Sequence, residues 1–251
     1  MENRRPYVMS IAGLDPSGGA GLLADIKTFE ALGTYGLGVC TALTVQTDSR
    51  FLSVEWQSAE QIIAQATPLL ETYPVDYCKI GIVKDASTIL NVIRAVKAIR
   101  PRIRIILDPV LKASAGYAFH DTATLSLWKE VLQEVYLLTP NYQEALMLSG
   151  EEEGHAAADT LATYCAVLLK GGHRQERQGV DSLYTTPDNI LDIPAGNESV
   201  FPKHGSGCVL SAAITAQLAA GSSLATACIT AKLYTEKFLA SHSSLLGYHI
   251  T

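Results

Sequence analysis

The feature that most constrains this chain is a series of short apolar runs without polar alternation, each followed by a segment of helical periodicity. A continuously apolar strand is buried on both faces, and strands separated by helices pair in parallel. Residues 7–12, 37–45, 77–81, 103–107, 135–138 and 166–169 read as such strands. Helices are predicted over 22–32, 58–71, 87–100, 121–133, 141–149 and 155–164, and two more close the chain near 206–220 and 223–240. Segments near 181–185 and 190–193 read as a strand pair. The pattern predicts an α/β fold with a mainly parallel central sheet covered by helices on both faces. No linker, repeat or low-complexity segment divides the chain, so residues 1–251 read as one domain.

Composition narrows the partners. The net charge is −6, and no basic cluster is longer than Arg4-Arg5, which argues against nucleic-acid and acidic-membrane partners. The 5 cysteines form no C-x-x-C pair, and their odd number fits a reduced, cytoplasmic protein. The polar N-terminus lacks the apolar core of a signal peptide, and the apolar run 208–220 is too short to span a membrane. The histidines show no metal-ligand spacing, which argues against zinc, and neither a Walker phosphate loop nor G-x-S-x-G occurs.

In sheets of this kind ligands bind beyond the carboxyl ends of the strands. That rule singles out Gly13, Gln46, Gly81, Asp108, Thr139 and Lys170-Gly171. A further candidate is Gly205-Ser206-Gly207-Cys208, a glycine-flanked turn opening a helix of small residues, with Ser206 as its expected N-cap. Unpaired N–H groups and the helix dipole make such a start an anion site, and a thiol in its first turn, Cys208, is expected to have a lowered pKa. The same stretch also fits a plain glycine turn into a core helix. Gly19-Ala20-Gly21-Leu22-Leu23-Ala24 matches the dinucleotide pattern G-x-G-x-x-A, with Asp48 in rough position for a ribose; its distance from the strand end at Gly13 weakens that reading. Asp108 can bind a metal, take a proton or simply make a turn. Asn141 and Glu144 share a helix face and equally fit a capping box, and Lys170 is a phosphate partner or a solvated lysine.

Taken together, Ser10-Ile11-Ala12-Gly13-Leu14-Asp15-Pro16-Ser17-Gly18-Gly19-Ala20-Gly21 and Ala24-Asp25-Ile26-Lys27-Thr28-Phe29 resemble the opening of the hydroxymethylpyrimidine/phosphomethylpyrimidine kinases of thiamine biosynthesis. The resemblance continues through Thr41-Ala42-Leu43-Thr44-Val45-Gln46, Lys79-Ile80-Gly81, Asp108-Pro109-Val110, Thr139-Pro140-Asn141-x-x-Glu144-Ala145, Lys170-Gly171-Gly172-His173 and His204-Gly205-Ser206-Gly207-Cys208. It implies a three-layer α/β/α ribokinase-like fold, ATP and Mg²⁺ as cofactors, and a homodimer. By the same resemblance Asp25 and Gln46 hydrogen-bond an aminopyrimidine, Ile82 and Val110 line its pocket, and the Gly13 loop and the glycine run at 18–21 belong to the substrate side. Asn141 and Glu144 organise Mg²⁺ through water, Lys170 lies near the ATP phosphates, and Gly205 to Cys208 form the anion hole, with Cys208 where sugar kinases of this fold carry Asp. Two departures stand out: Ser206 replaces the usual Thr, and Ser114 stands where the family often has Lys, with Lys112 two places earlier. The implied activity is ATP-dependent phosphorylation of 4-amino-5-hydroxymethyl-2-methylpyrimidine and then of its monophosphate. A pyridoxal kinase of the same fold is the alternative, and a non-catalytic ligand-sensing relative is a third reading.

Overall fold

The computed structural model describes residues 5–111, 125–172, 179–196 and 199–249. In chain order the elements are β1 (Tyr7–Leu14), α1 (Gly21–Ala31), β2 (Tyr35–Gln46), β3 (Phe51–Trp56), α2 (Ala59–Thr72), β4 (Val75–Ile80), α3 (Ala86–Ile99), β5 (Arg104–Leu107) and α4 (Leu125–Gln133). They continue with β6 (Leu137–Leu138), α5 (Tyr142–Ser149), α6 (Gly154–Ala162), β7 (Ala166–Leu169), β8 (Asp181–Thr186), β9 (Asn189–Ile193), α7 (Ser206–Ala219) and α8 (Leu224–Ala240). Lys112, Ser114, His173 and the first residues of the helix expected over 121–133 lie outside the described residues.

The strands form a 9-stranded sheet in the order β3-β2-β1-β4-β5-β6-β7-β8-β9. From β2 to β7 the pairing is parallel, whereas β3, β8 and β9 join antiparallel. Each inner strand sends alternate residues into two apolar layers, which is why the strands read as continuous runs. In β5, Ile105 and Leu107 enter the core shared with α2 to α6, while Ile106 enters the core shared with α1, α7 and α8. The expected α/β/α layering is therefore present. β3 was not anticipated: it lies at the sheet edge, and Leu52 is 60% exposed, so Phe51–Trp56 carries neither an apolar run nor a clean alternation.

Local chemistry sets the helix starts. Ser58 and Gln61 form a reciprocal capping box at α2. At α3 the cap is Asp85, whose carboxylate accepts the Thr88 N–H at 2.7 Å, so the helix begins one residue before the expected Ser87. Asp85→Ala is expected to destabilise the protein by about 1 kcal/mol through loss of that cap. Ile93→Ala, at a fully buried position of the same helix, is expected to cost roughly 2–5 kcal/mol. Urea unfolding of both variants checks the order; equal losses would contradict it.

Candidate active site

The chain leaves β1 toward β2 on one side and returns with β4 on the other, so the strand order reverses at β1 and opens a crevice at its carboxyl end. The loop that follows β1 is built on the buried Asp15. Its carboxylate accepts the Ser17 N–H at 2.9 Å, the Ser17 hydroxyl at 2.8 Å and the Ala20 N–H at 2.9 Å. His204 Nε2 meets the same carboxylate at 2.8 Å, fastening the loop to the residue just before α7. Gly21, which starts α1, has φ +58°, and a side chain there would fall 2.3 Å from the Gly13 carbonyl oxygen. The glycine run at 18–21 thus forms a compact loop and a helix start, not the tight strand-to-helix turn of a dinucleotide fold.

Helix α7 opens opposite this loop. Its N-cap is Gly205, with φ +77°, and no side chain caps the helix. The expected cap, Ser206, is instead the first helical residue, because only a residue tolerant of left-handed backbone fits before it. A Cβ at Gly205 would sit 2.1 Å from the Gly19 carbonyl oxygen, so the two backbones touch. The first-turn N–H groups of α7 lack intrahelical partners and lie at the positive end of the helix dipole. Cys208 keeps part of its surface exposed. Its thiol contradicts the expected lowering: burial pushes the pKa up to about 11, against the opposing pull of Lys79 and the Gly21 amide.

A second cluster adjoins the same turn. A side chain at Gly207 would lie 3.3 Å from Lys170 Nζ and 3.8 Å from Asp108 Oδ2. Lys170 donates to Asp108 Oδ1 at 2.9 Å and lies 3.9 Å from Glu144. Thr139 and Ser211 also donate to Asp108, at 3.2 and 3.3 Å. Burial works against the charge on Asp108, yet Lys170 and Lys79 hold its carboxyl below the usual range. Burial pushes Glu144 the other way, to about 7, despite Lys170. Asn141 and Glu144 do form a capping box, with the Asn141 N–H on Glu144 Oε2 at 2.7 Å and the Glu144 N–H on Asn141 Oδ1 at 2.9 Å. The Lys170 N–H bonds to the Pro140 carbonyl at 2.9 Å, which holds both strand ends together. Among the described residues no group of three or more His, Cys, Asp or Glu is arranged to hold a metal ion unaided.

On the other side of the crevice, Gly13 lies against Ile82, whose backbone oxygen accepts the Thr41 hydroxyl at 2.6 Å. Gln46 ends β2 and Val110 follows β5, both half-buried. Asp25 differs from these: it is fully buried, ion-paired with Lys79 at 2.6 Å, and accepts the Ser10 hydroxyl at 2.5 Å. The structure therefore brings the Gly205–Cys208 turn, Lys170, Asp108 and the Asn141–Glu144 cap together and sets Gly13 against Ile82, while Gln46 and Val110 stand at the carboxyl ends of β2 and β5. Lys79, Asp15 and His204 were not singled out as site residues. A lysine inside an apolar strand was the available signal for the first, since a buried ammonium requires a partner.

A family model described as phosphomethylpyrimidine kinase matches residues 15–250. The chain belongs to the phosphomethylpyrimidine kinase family. A hydroxymethylpyrimidine/phosphomethylpyrimidine kinase of Rhizobium meliloti is 38% identical over 235 residues, covering 90% of this chain and 87% of that relative. One of Escherichia coli is 34% identical, covering 85% of this chain and 83% of that relative. Among solved structures, the phosphomethylpyrimidine kinase of Clostridium difficile 630 has a TM-score of 0.79 at 32% identity, covering 93% of this chain and 99% of the other. The pyridoxal kinase of Staphylococcus aureus in complex with ADP has a TM-score of 0.83 at 26% identity, covering 95% and 89%. The ribokinase-like fold is thereby established, and this kinase is a phosphotransferase.

The Asp15 link carries a pH dependence. Burial opposes its charge, but the His204 and Ser17 hydrogen bonds prevail and lower its pKa. A lowered carboxyl pKa stabilises the fold above the ordinary value of about 3.9, and that contribution is lost as pH falls through the folded value. Asp15→Asn is expected to lower the melting temperature of the kinase at pH 7, with the gap from wild type closing below about pH 4. A gap that persists unchanged into acid would show that the loop does not depend on the ionised carboxylate.

Proposed function

We propose that the protein phosphorylates hydroxymethylpyrimidine with ATP and then phosphorylates the resulting monophosphate, as one kinase domain spanning residues 1–251. The observation that carries this reading is the seating of the Gly205–Cys208 turn against Lys170 and Asp108, in a chain of this family. Phosphoryl transfer relies on positioning and charge stabilisation more than on covalent chemistry. The N–H groups opening α7 are placed to hold the transferring phosphoryl group, and Lys170 to offset charge on the ATP phosphates. The complex of the Staphylococcus aureus relative with ADP supports a nucleotide at this fold's site. Asp108 and Glu144 offer hard carboxylate oxygens on either side of Lys170, a donor set suited to Mg²⁺ held partly through water, with Asn141 behind Glu144. Bound there, Mg²⁺ would neutralise charge on the phosphates.

Gln46, Ile82 and Val110, at the carboxyl ends of β2, β4 and β5, fit the aminopyrimidine, with the Gly13 loop beside them. A homodimer in the cytoplasm belongs to the same reading and is supported by the family resemblance. No helix among the described residues is long and apolar enough to cross a membrane. The likeness to pyridoxal kinase favours a second substrate, because pyridoxal also presents a ring nitrogen and a CH₂OH group. ADP formation measured in parallel with hydroxymethylpyrimidine, its phosphate and pyridoxal decides between them. The larger kcat/KM is expected for hydroxymethylpyrimidine; the reverse order assigns the protein to pyridoxal.

The two phosphorylations differ in their nucleophiles. The first uses an alcohol that must lose a proton, whereas the second uses a phosphate monoester whose second pKa is about 6 and which is mostly dianionic at neutral pH. The candidate for taking the alcohol proton is Cys208, through the small thiolate fraction that a pKa of about 11 leaves near neutral pH, and a positioned base typically contributes about 10²–10⁴-fold. Cys208→Ala is therefore expected to slow the first step more than the second, since the backbone N–H groups remain for both. Equal fractional losses would mean that Cys208 shapes the turn and moves no proton.

A further inference from the structure

Lys170 follows the last residue of β7, and the backbone is held on both sides of it. Its own N–H goes to the Pro140 carbonyl at 2.9 Å, and the next N–H, that of Gly171, goes to Asp181 Oδ1 at 2.7 Å. Planar peptides leave only two soft dihedrals per residue, so fixing both neighbouring peptides fixes the direction in which the Lys170 side chain leaves the chain. The Gly171 carbonyl is held as well, by the Gly179 N–H at 3.0 Å. A side chain at Gly171 would fall 1.8 Å from the Val180 carbonyl oxygen. Gly171 therefore lies directly against the stretch from Gly179 to Asp181 that opens β8.

One side chain of α8 fastens that stretch. Lys232 Nζ lies 2.9 Å from Asp181 Oδ2 and also donates to the Gly179 carbonyl. Both residues are buried, and Cys228 and Ala231 beside Lys232 belong to the apolar layer that holds Leu168 of β7 and Leu183 of β8. Glu236, one turn further along α8, lies 3.8 Å from the ammonium and accepts the Gly196 N–H at 2.9 Å. Stability alone does not account for the Asp181–Lys232 pair, since well-packed apolar residues of similar volume usually serve a core as well or better. What an apolar pair cannot do is hold the Gly171 N–H.

We propose that Asp181 and Lys232 are positioning residues for the phosphates of ATP: Lys232 fixes the Asp181 carboxylate, which holds the Gly171 N–H and so sets the line along which Lys170 reaches the nucleotide. This rests on the kinase reading above. The pair acts only through Lys170, whose ammonium has little room to move. It lies 2.9 Å from Asp108 and 3.9 Å from Glu144, and a side chain at Gly207 would fall 3.3 Å from it. A shift of the backbone at Gly171 therefore carries the charge away from the turn that opens α7. Gln46 ends β2 and Ile82 follows β4, and β5 and β6 separate both from β7 and β8 in the sheet. The pair thus bears on the nucleotide and not on the phosphate acceptor.

The test compares wild type with Asp181→Leu/Lys232→Met, which replaces the pair by apolar side chains and takes the acceptor from the Gly171 N–H. Each protein is also made with Lys170→Met. ADP affinity in the presence of Mg²⁺ is measured by calorimetry, beside thermal melts and the KM values for ATP and hydroxymethylpyrimidine. The double variant is expected to melt cooperatively, to bind ADP about tenfold more weakly and to raise KM for ATP similarly, within the roughly 10²-fold that a misplacement of about 1 Å can cost. KM for hydroxymethylpyrimidine is expected to stay at the wild-type value. In the Lys170→Met background the same double substitution is expected to cost no further ADP affinity, because the group it positions is gone. A double variant with wild-type ADP affinity overturns the proposal, as does one whose two KM values rise together or one whose loss persists in full without Lys170. If the double variant does not melt cooperatively, Lys232→Met alone is measured, with a smaller loss of ADP affinity expected and an unchanged affinity overturning the proposal. Wild-type protein that binds no ADP overturns the kinase reading and this proposal with it. Wild-type protein active on pyridoxal and not on hydroxymethylpyrimidine overturns only the acceptor, since ADP affinity is read without one.

Discussion

The site depends on a backbone-to-backbone contact. The residue before α7 and the loop after β1 approach so closely that no side chain fits at Gly205, and the left-handed conformation there turns the helix start toward the crevice. Asp15 and His204 hold the same two segments together by hydrogen bonds. A turn from near the end of the sequence is thereby locked to a loop from near its beginning. The positive end of the α7 dipole faces Lys170 and Asp108 because of that lock, not because of any charged side chain on the helix.

Charge in the site is arranged in two separate layers. Lys170, Asp108 and Glu144 lie at the strand ends, where a nucleotide's phosphates could meet them. Lys79 and Asp25 lie beneath, sealed from water. The layers act on each other through Asp108, whose charge is supported by both lysines. The arrangement explains how Asp108 stays ionised while Glu144, more weakly paired and also buried, is pushed toward neutrality at physiological pH.

The inner sheet was legible in the sequence because burial on both faces writes itself as uninterrupted apolar runs. The edge strand β3 was not, since a half-exposed strand has no such run. Spacing sufficed for the Asn141–Glu144 cap, a local arrangement of backbone and side chain. It could not reveal the Asp15–His204 or Asp25–Lys79 pairs, because partners so far apart in the chain meet only through the fold. The thiol of Cys208 shows the same limit. A first-turn position argues for a lowered pKa, but the packing of α1, β4 and α7 around the sulfur decides the outcome, and that packing is not written within the turn.

The strand order also governs how the polypeptide can assemble. β1 needs β4 as its neighbour, and the face of both strands that carries Val8, Ser10 and Lys79 is covered by α7, drawn from the last part of the chain. During synthesis the layer of α2 to α6 can dock before α7 has left the ribosome, while the opposite face stays open to water. Non-local pairing of this kind is slow and leaves apolar surface exposed in the interval. Closing that face and seating the Gly205 turn against the loop after β1 are the same event, so that turn takes its final form only once α7 has docked.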